Sequence, residues 1–286
     1  MRGQYRQQLL ARSYLRLLRD SLCNRHYLRQ DQSPPSPSEL HQAESVLEEV
    51  RRRFAQHPDK QVGHVLRQIT PQLAVQWFRR NSWQAYTLLD EVGLDNIQRC
   101  VIQLLENRVP GDLIECGVWR GGSCIFMRGL LRAYGDGRRQ VWVADSFQGL
   151  PEPDPKSSPL DAISHEFLRV IGGLACGLEE VAENFRRFDL LDRRVRFLPG
   201  WFQDSLPSAS IEKLALIRLD ADYYESTHQA LEALYDRLSP GGFVIVDDYG
   251  SSALGARRAV DDFRRQQSIR TRLRGVNENI VYWEKE

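Results

Sequence analysis

No apolar run in this chain of 286 residues approaches the roughly 18 that a membrane-spanning helix needs, and its opening, "MRGQYRQQLLARSYLRLL", is punctuated throughout by Arg and Gln. A soluble, unexported protein with no membrane span is expected. Net charge is also scarce: 39 Lys and Arg face 38 Asp and Glu, for +1, so no whole-molecule field draws nucleic acid as a partner. The five cysteines (Cys23, Cys100, Cys116, Cys124, Cys176) are odd in number and contain no C-x-x-C pair. That pattern argues against a disulfide framework and a zinc site, and fits a reducing cytoplasm. The six His lack metal-ligand or triad spacing, so none receives a role.

What is present begins with helix. From about Gln4 to Leu28, Leu9, Leu10, Tyr14, Leu17, Leu18 and Leu22 recur at helical spacing opposite an Arg-rich face. Such an amphipathic helix packs on its own domain or on a second subunit, or lies on a partner or membrane surface. "DQSPPSPSE", Asp31 to Glu39, breaks helix and sheet and reads as a linker. A helix should restart near Ser38 in "ELHQAESVLEEVRRRFAQ", acidic early and basic late as the helix dipole favours. Arg51 to Arg53 then form a solvated helix end rather than a nucleic-acid patch. The stretch 56–83 receives no role.

After the helix "LDNIQRCVIQLLENRV", stopped by Pro110 and Gly111, strands are expected at "LIECGVW", "QVWVADSF", "VRFLPGW", "LALIRLDAD", "GFVIVDDYG" and "NIVYWEK", with helices between most of them. This alternation predicts an α/β fold with a doubly wound, mostly parallel sheet around one main core; the final strand could insert antiparallel. Residues 1–83 are expected to be a helical extension, serving as lid and possible oligomerisation region, and 84–286 the main domain.

The first strand runs into "ECGVWRGGS". Gly117, Gly121 and Gly122 let backbone and ligand approach closely, and Ser123 is placed to cap the next helix. The spacing G-x-x-x-G-G matches neither a dinucleotide loop nor a phosphate loop. Glu115 before it would repel phosphate yet attract a cation or accept from an ammonium, and S-adenosylmethionine carries both a sulfonium and an ammonium. Asp145, ending the second strand, stands where such folds grip ribose hydroxyls; a helix cap or turn is the plainer alternative.

"LIRLDADYYEST" and "GGFVIVDDYG" are apolar strands that each end in two carboxylates. As fourth and fifth strands their ends should be neighbours, and Asp220 and Asp222, two apart in extended backbone, should project to one side near Asp247 and Asp248. Gathered anions need a cation or raised pKa values, and an oxygen-only set favours Mg²⁺ over zinc or calcium. Helix capping or pairing with Arg218 would account for one or two of these residues.

The phrases "GDLIECGVWRGGSCIFMRGLL", "VWVADSFQGLPE", "ENFRRFDLLDRRVRFLPGWFQDSLP", "LDADYYEST" and "LSPGGFVIVDDYG" resemble the macrocin O-methyltransferase family of antibiotic tailoring enzymes. The resemblance runs from about Gln84 to Trp283, and more weakly to the N-terminal helix. It implies a Rossmann-like class I methyltransferase fold and an S-adenosylmethionine- and Mg²⁺-dependent O-methyltransferase acting on a sugar hydroxyl of a small-molecule glycosylated natural product; the N-terminal helix separately hints at a homo-oligomer. By motif match it assigns the metal to Asp220, Asp247 and Asp248, the general base to Asp222, and the cofactor region to Glu115, Cys116, Gly117, Ser123, Asp145, Ser146, Gly200, Trp201, Phe202 and Thr87. The chain departs from the family where Leu88 and Gly93 stand for Met and Arg, and where D-A-D replaces D-G-D. Open alternatives are a catechol-type O-methyltransferase, a non-catalytic scaffold built on the helical N-terminus, and a nucleotide-dependent oxidoreductase, which the Gly spacing disfavours. Trp119 and Trp201 shape a pocket in this reading rather than stack nucleic acid.

Overall fold

A computed structural model describes residues 2–24, 34–55, 60–75, 85–154, 158–170, 174–251 and 255–286. Helix α1 (Arg2–Leu22) ends sooner than the sequence pattern suggested, and Tyr27 and Leu28 lie outside the described residues, as do the first three residues of the expected linker. Leu15, Leu18 and Leu22 are buried in the main core, while Leu9, Leu10 and Leu17 on the other face are exposed. Gly129 explains the close seat of α1: a Cβ there would stand 2.3 Å from Leu18 Cδ2. A backbone hydrogen bond from Tyr86 N–H to the Leu22 carbonyl then ties the end of α1 to the segment that leads into the next helix.

Helix α2 (Pro37–Phe54) begins one residue before the expected Ser38. Ser36 and Glu39 form a reciprocal capping box, and Pro37 follows at the first helical position. Its basic end is paired with Glu44, Glu49 and Glu166, as a solvated helix end should be. Helix α3 (Lys60–Gln68) comes next, and Val50, Leu66 and Ile163 form a small core that fastens α2 and α3 to α6 (Pro159–Val170). The expected domain boundary at 83 and 84 falls outside the described residues.

Beyond α4 (Glu91–Glu106), the chain alternates strand and helix: β1 (Asp112–Cys116), α5 (Gly122–Ala133), β2 (Val141–Asp145), α6, α7 (Leu178–Arg187), β3 (Val195–Pro199), α8 (Phe202–Ser208), β4 (Leu214–Leu219), α9 (Tyr224–Leu234), β5 (Leu238–Val246), α10 (Ala256–Gln266), β6 (Arg274–Gly275) and β7 (Val281–Glu284). The seven strands lie in the order β3-β2-β1-β4-β5-β7-β6. The first five are parallel. β7 inserts antiparallel beside β5, as the terminal strand could, and the two-residue β6, which the sequence pattern did not reveal, pairs with it. Strand order reverses between β1 and β4, the crevice where open sheets of this kind bind ligands.

The inner parallel strands β1, β2, β4 and β5 are largely buried on both faces and read as apolar runs, whereas the edge strand β3 exposes Arg196. Leu113, Val143, Leu216 and Ile245 pack under α4 and α5, whereas Ile114, Ala144, Ile217 and Val244 face the other core with Leu231, Leu234 and Phe263. Because α1 shares the first core, we expect Leu22→Ala to cost about 2–5 kcal/mol. Chemical denaturation should show one cooperative transition shifted as a whole; a change confined to a separate early transition would mean α1 is not part of that core.

Candidate active site

β1, β2, β3, β4 and β5 leave the sheet at one edge, and each is followed by a residue in left-handed backbone: Trp119 (φ 47°), Phe147 (φ 56°), Gly200 (φ 128°), Asp222 (φ 57°) and Asp248 (φ 56°). Such angles are uncommon away from glycine and gather where a function requires them. At this edge opens a cavity of about 920 Å³. Gly117, Asp145, Ser146, Gly200, Trp201 and Phe202 line it, together with Asp220, Asp222, Asp247 and Asp248. Trp119 lines it as well. Glu115, Cys116, Ser123 and Thr87 do not.

Each of these four stands off the cavity lining for a local reason. Glu115 points under the sheet edge, where Ser123 and Cys124 donate to its carboxylate and Arg218 pairs with it. Burial raises its pKa, and Arg218 opposes that rise. Ser123 is therefore a partner of Glu115 rather than a helix cap; α5 starts from Gly121 with no side-chain cap. Cys116 is fully buried in the strand, and Thr87 accepts from the Leu89 N–H at 3.1 Å while packing beside Gly122.

Asp145 joins the loops after β1 and β2. It accepts from the Val118 N–H at 2.7 Å and from the Phe147 N–H at 2.8 Å. Burial raises its carboxyl, with the backbone donors pulling it back. Gly117 fixes the first loop from the other side: its φ is +84°, and a Cβ there would lie 1.9 Å from the Asp220 carbonyl oxygen.

The acidic strand ends converge as expected. Carboxylate oxygens of Asp220, Asp247 and Asp248 all come within 4.8 Å of one another, and a side-chain hydrogen bond joins Asp222 to Asp248. The extended-backbone argument for Asp220 and Asp222 is only half right. Ala221 keeps negative φ, which is why Ala is tolerated in D-A-D, but Asp222 turns into left-handed backbone. Two like charges at such separations repel by about 3–4 kcal/mol at an effective dielectric near 20. Burial and these neighbours push Asp247 up to about 7 and hold Asp222 and Asp248 well above the ordinary carboxylate range. The oxygen-only set, short of positive charge, fits a hard divalent cation.

One residue of this site was passed over at the sequence level except as a partner that could neutralise a carboxylate or two. Arg218, the next-to-last residue of β4 and 1% exposed, bonds Glu115, Asp220 and Asp247 together. Its signal was a lone Arg in the apolar run "LALIRLD", since a buried charge needs a partner. The loop 277–280, whose Asn277, Asn279 and Ile280 line the cavity, carried no comparable signal. Leu73 and Leu88 also line it, both well exposed; Gly93 sits in the first turn of α4 with its N–H bonded to Asp90.

The strand order and the cavity at its reversal define a Rossmann-like methyltransferase of class I. A family model described as Macrocin-O-methyltransferase (TylF) matches residues 11–285, and the chain belongs to that family of O-methyltransferases. It is 53% identical over 201 residues, 70% of this chain and 75% of the relative, to 8-demethyl-8-(2,3-dimethoxy-α-L-rhamnosyl)-tetracenomycin-C 4'-O-methyltransferase of Streptomyces olivaceus. Identity to demethyldecarbamoylnovobiocin O-methyltransferase of Streptomyces niveus is 48% over 203 residues, 70% of this chain and 76% of that one. Mycinamicin III 3''-O-methyltransferase of Micromonospora griseorubida is 45% identical over 203 residues, covering 70% and 79%. Among solved structures, the O-methyltransferase NovP superposes with a TM-score of 0.68 at 41% identity, over 85% of this chain and 99% of that one. No helix among the described residues is long and apolar enough to cross a membrane.

Gly117→Ala should cost about 2–4 kcal/mol, from a side chain in left-handed backbone and from its collision with β4. Denaturant titration checks this; a variant as stable as the parent would show that the loop after β1 is not held against Asp220.

Proposed function

We propose that the chain is an S-adenosylmethionine- and Mg²⁺-dependent O-methyltransferase that methylates a sugar hydroxyl of a glycosylated natural product in the cytoplasm. The observation that carries this reading is the joining, in one cavity, of a glycine-lined loop after β1 with an oxygen-only acidic cluster after β4 and β5. The acceptor class rests on the relatives, whose names specify a rhamnosyl tetracenomycin, a novobiocin precursor and mycinamicin III.

Bound together, the two cofactors would supply an activated methyl carbon and the positive charge that acidifies an accepting hydroxyl. The residues divide the remaining work. Asp220, Asp247 and Asp248 hold the cation. Asp145, fixed by the Val118 and Phe147 N–H groups, would turn its carboxylate to the ribose hydroxyls. Gly117 admits the donor to the backbone of the first loop, while Trp119, Trp201 and Phe202 wall the cavity and limit water near the donor. Asp222 takes the proton that the acceptor hydroxyl loses. Burial raises its carboxyl, which makes it a stronger base than an exposed carboxylate, and its cavity-lining position gives access.

Asp222→Asn should therefore lower turnover by about 10²–10⁴-fold, the usual worth of a general base, while calorimetry finds S-adenosylmethionine binding within a few-fold of the parent. Wild-type turnover in this variant removes Asp222 as the base. Asp247→Asn should abolish the Mg²⁺ heat seen with the parent protein; a parent that gives no heat with S-adenosylmethionine would overturn the donor assignment.

The raised carboxyls give the metal reading a pH signature. Asp247 rises from 3.8 to about 7, so between those values the fold holds a proton the unfolded chain has released, and this contribution to stability falls as pH rises. Above pH 7 the ionised cluster is destabilising until a cation neutralises it. Saturating Mg²⁺ should raise the melting temperature more at pH 8 than at pH 6. An equal shift at both, or none at pH 8, counts against a cation held by these carboxylates.

A further inference from the structure

We infer that Arg218 is a positioning residue for the cation site. Its guanidinium, bonded at once to Glu115, Asp220 and Asp247, holds the ends of β4 and β5 at ligand separation, with Glu115 as its counter-ion. The inference rests on the metal reading above but concerns a residue outside the ligand set.

The sheet dictates the arrangement. Glu115 on β1 stands beside Arg218 on β4, which stands beside Ile245 on β5, so the Arg side chain rises between three adjacent strands beneath their carboxyl ends. One terminal nitrogen, Nη1, donates to Glu115 and, at 3.0 Å, to Asp220 Oδ2; the other, Nη2, donates to Asp247 Oδ2. Asp220 and Asp247 thus each give one oxygen to the guanidinium, and the other oxygen of Asp247 accepts from the Asp248 N–H at 3.3 Å. Both residues line the cavity, whereas Arg218 does not. Their carboxylates are oriented from below by a group that a bound ligand never reaches.

A guanidinium suits this task and an ammonium does not. Its donors lie in a rigid plane, so two carboxylates on separate strands are fixed relative to each other as well as neutralised. Its single positive charge also answers only part of the demand, because Glu115, Asp220, Asp222, Asp247 and Asp248 all face this small volume. Glu115 takes a large share of that charge for itself, aided by Ser123 and Cys124. The upper carboxylates are left oriented but under-neutralised, which is the condition for binding a cation rather than excluding one. Groups that orient metal ligands in this way are typically worth roughly 10–100-fold in metal affinity.

The test is Mn²⁺ binding, followed by electron paramagnetic resonance of the free ion and by calorimetry, in the absence of acceptor. The variants are Arg218→Lys and the charge-neutral pair Glu115→Gln with Arg218→Met. Removing both members of the pair leaves net charge unchanged, so any loss of affinity reports lost orientation. Arg218→Lys keeps the charge and loses the planar fork, and covers the case in which the double variant does not fold. Circular dichroism and S-adenosylmethionine binding establish that each variant is folded. We expect Mn²⁺ affinity to fall at least about tenfold in the pair and by a smaller factor in Arg218→Lys, with donor affinity in Arg218→Lys within a few-fold of the parent. Parental Mn²⁺ affinity in a folded variant overturns the positioning role while leaving the metal reading intact. A parent protein that binds no Mn²⁺ overturns both.

Discussion

The rest of the site depends on how a cluster of carboxylates is tolerated at the end of a sheet. Asp220, Asp222, Asp247 and Asp248 meet because β4 and β5 are parallel neighbours, and a parallel pair brings both carboxyl ends to one edge. The repulsion among them is comparable to a large part of a domain's net stability. One guanidinium, buried between three strands, offsets part of it. The remainder appears as carboxyls that retain protons far above their ordinary range. In the proposed enzyme that imbalance attracts a cation, while burial keeps Asp222 more basic than an exposed carboxylate.

Around that cluster the fold spends backbone strain to aim side chains. Every parallel strand is followed within three residues by a left-handed conformation, and at Asp222 and Asp248 the turning residue is itself a member of the cluster. The strand cores supply the rigidity that holds such angles, being buried on both faces. The helical N-terminus joins the same framework from two sides. α1 completes the core beside α5, and α2 and α3 grip α6, so that Ile69, Leu73 and Ala74 reach the cavity wall. It contributes to the cavity wall.

The sequence was most legible where one physical requirement governs a run of residues. Apolar runs punctuated by Gly and acidic residues located the six main strands, most plainly the inner ones, because a strand buried on both faces admits little else. β6 escaped, being two residues held only by its partner. Within the site, carboxylates at strand ends could be placed from topology alone, and the cavity indeed joins Asp145, Asp220, Asp222, Asp247 and Asp248. Glu115, by contrast, looked like a ligand for an ammonium because its strand position points toward the ligand loop. Its rotamer directs it beneath that loop to Arg218, and no one-dimensional pattern records which of two burial options a strand-end carboxylate takes.

By itself, then, the sequence determined the alternation of strands and helices, the acidic endings of β4 and β5, and the family, since each is carried by contiguous residues. Only the tertiary structure decided which charges neutralise which. Arg218 finds Glu115 103 positions away and Asp247 29 positions away. Those pairings come from sheet order and register, which bring β1, β4 and β5 together although long stretches of chain separate them. The division between carboxylates that carry the buried frame and carboxylates that face the cavity exists only once that register is set.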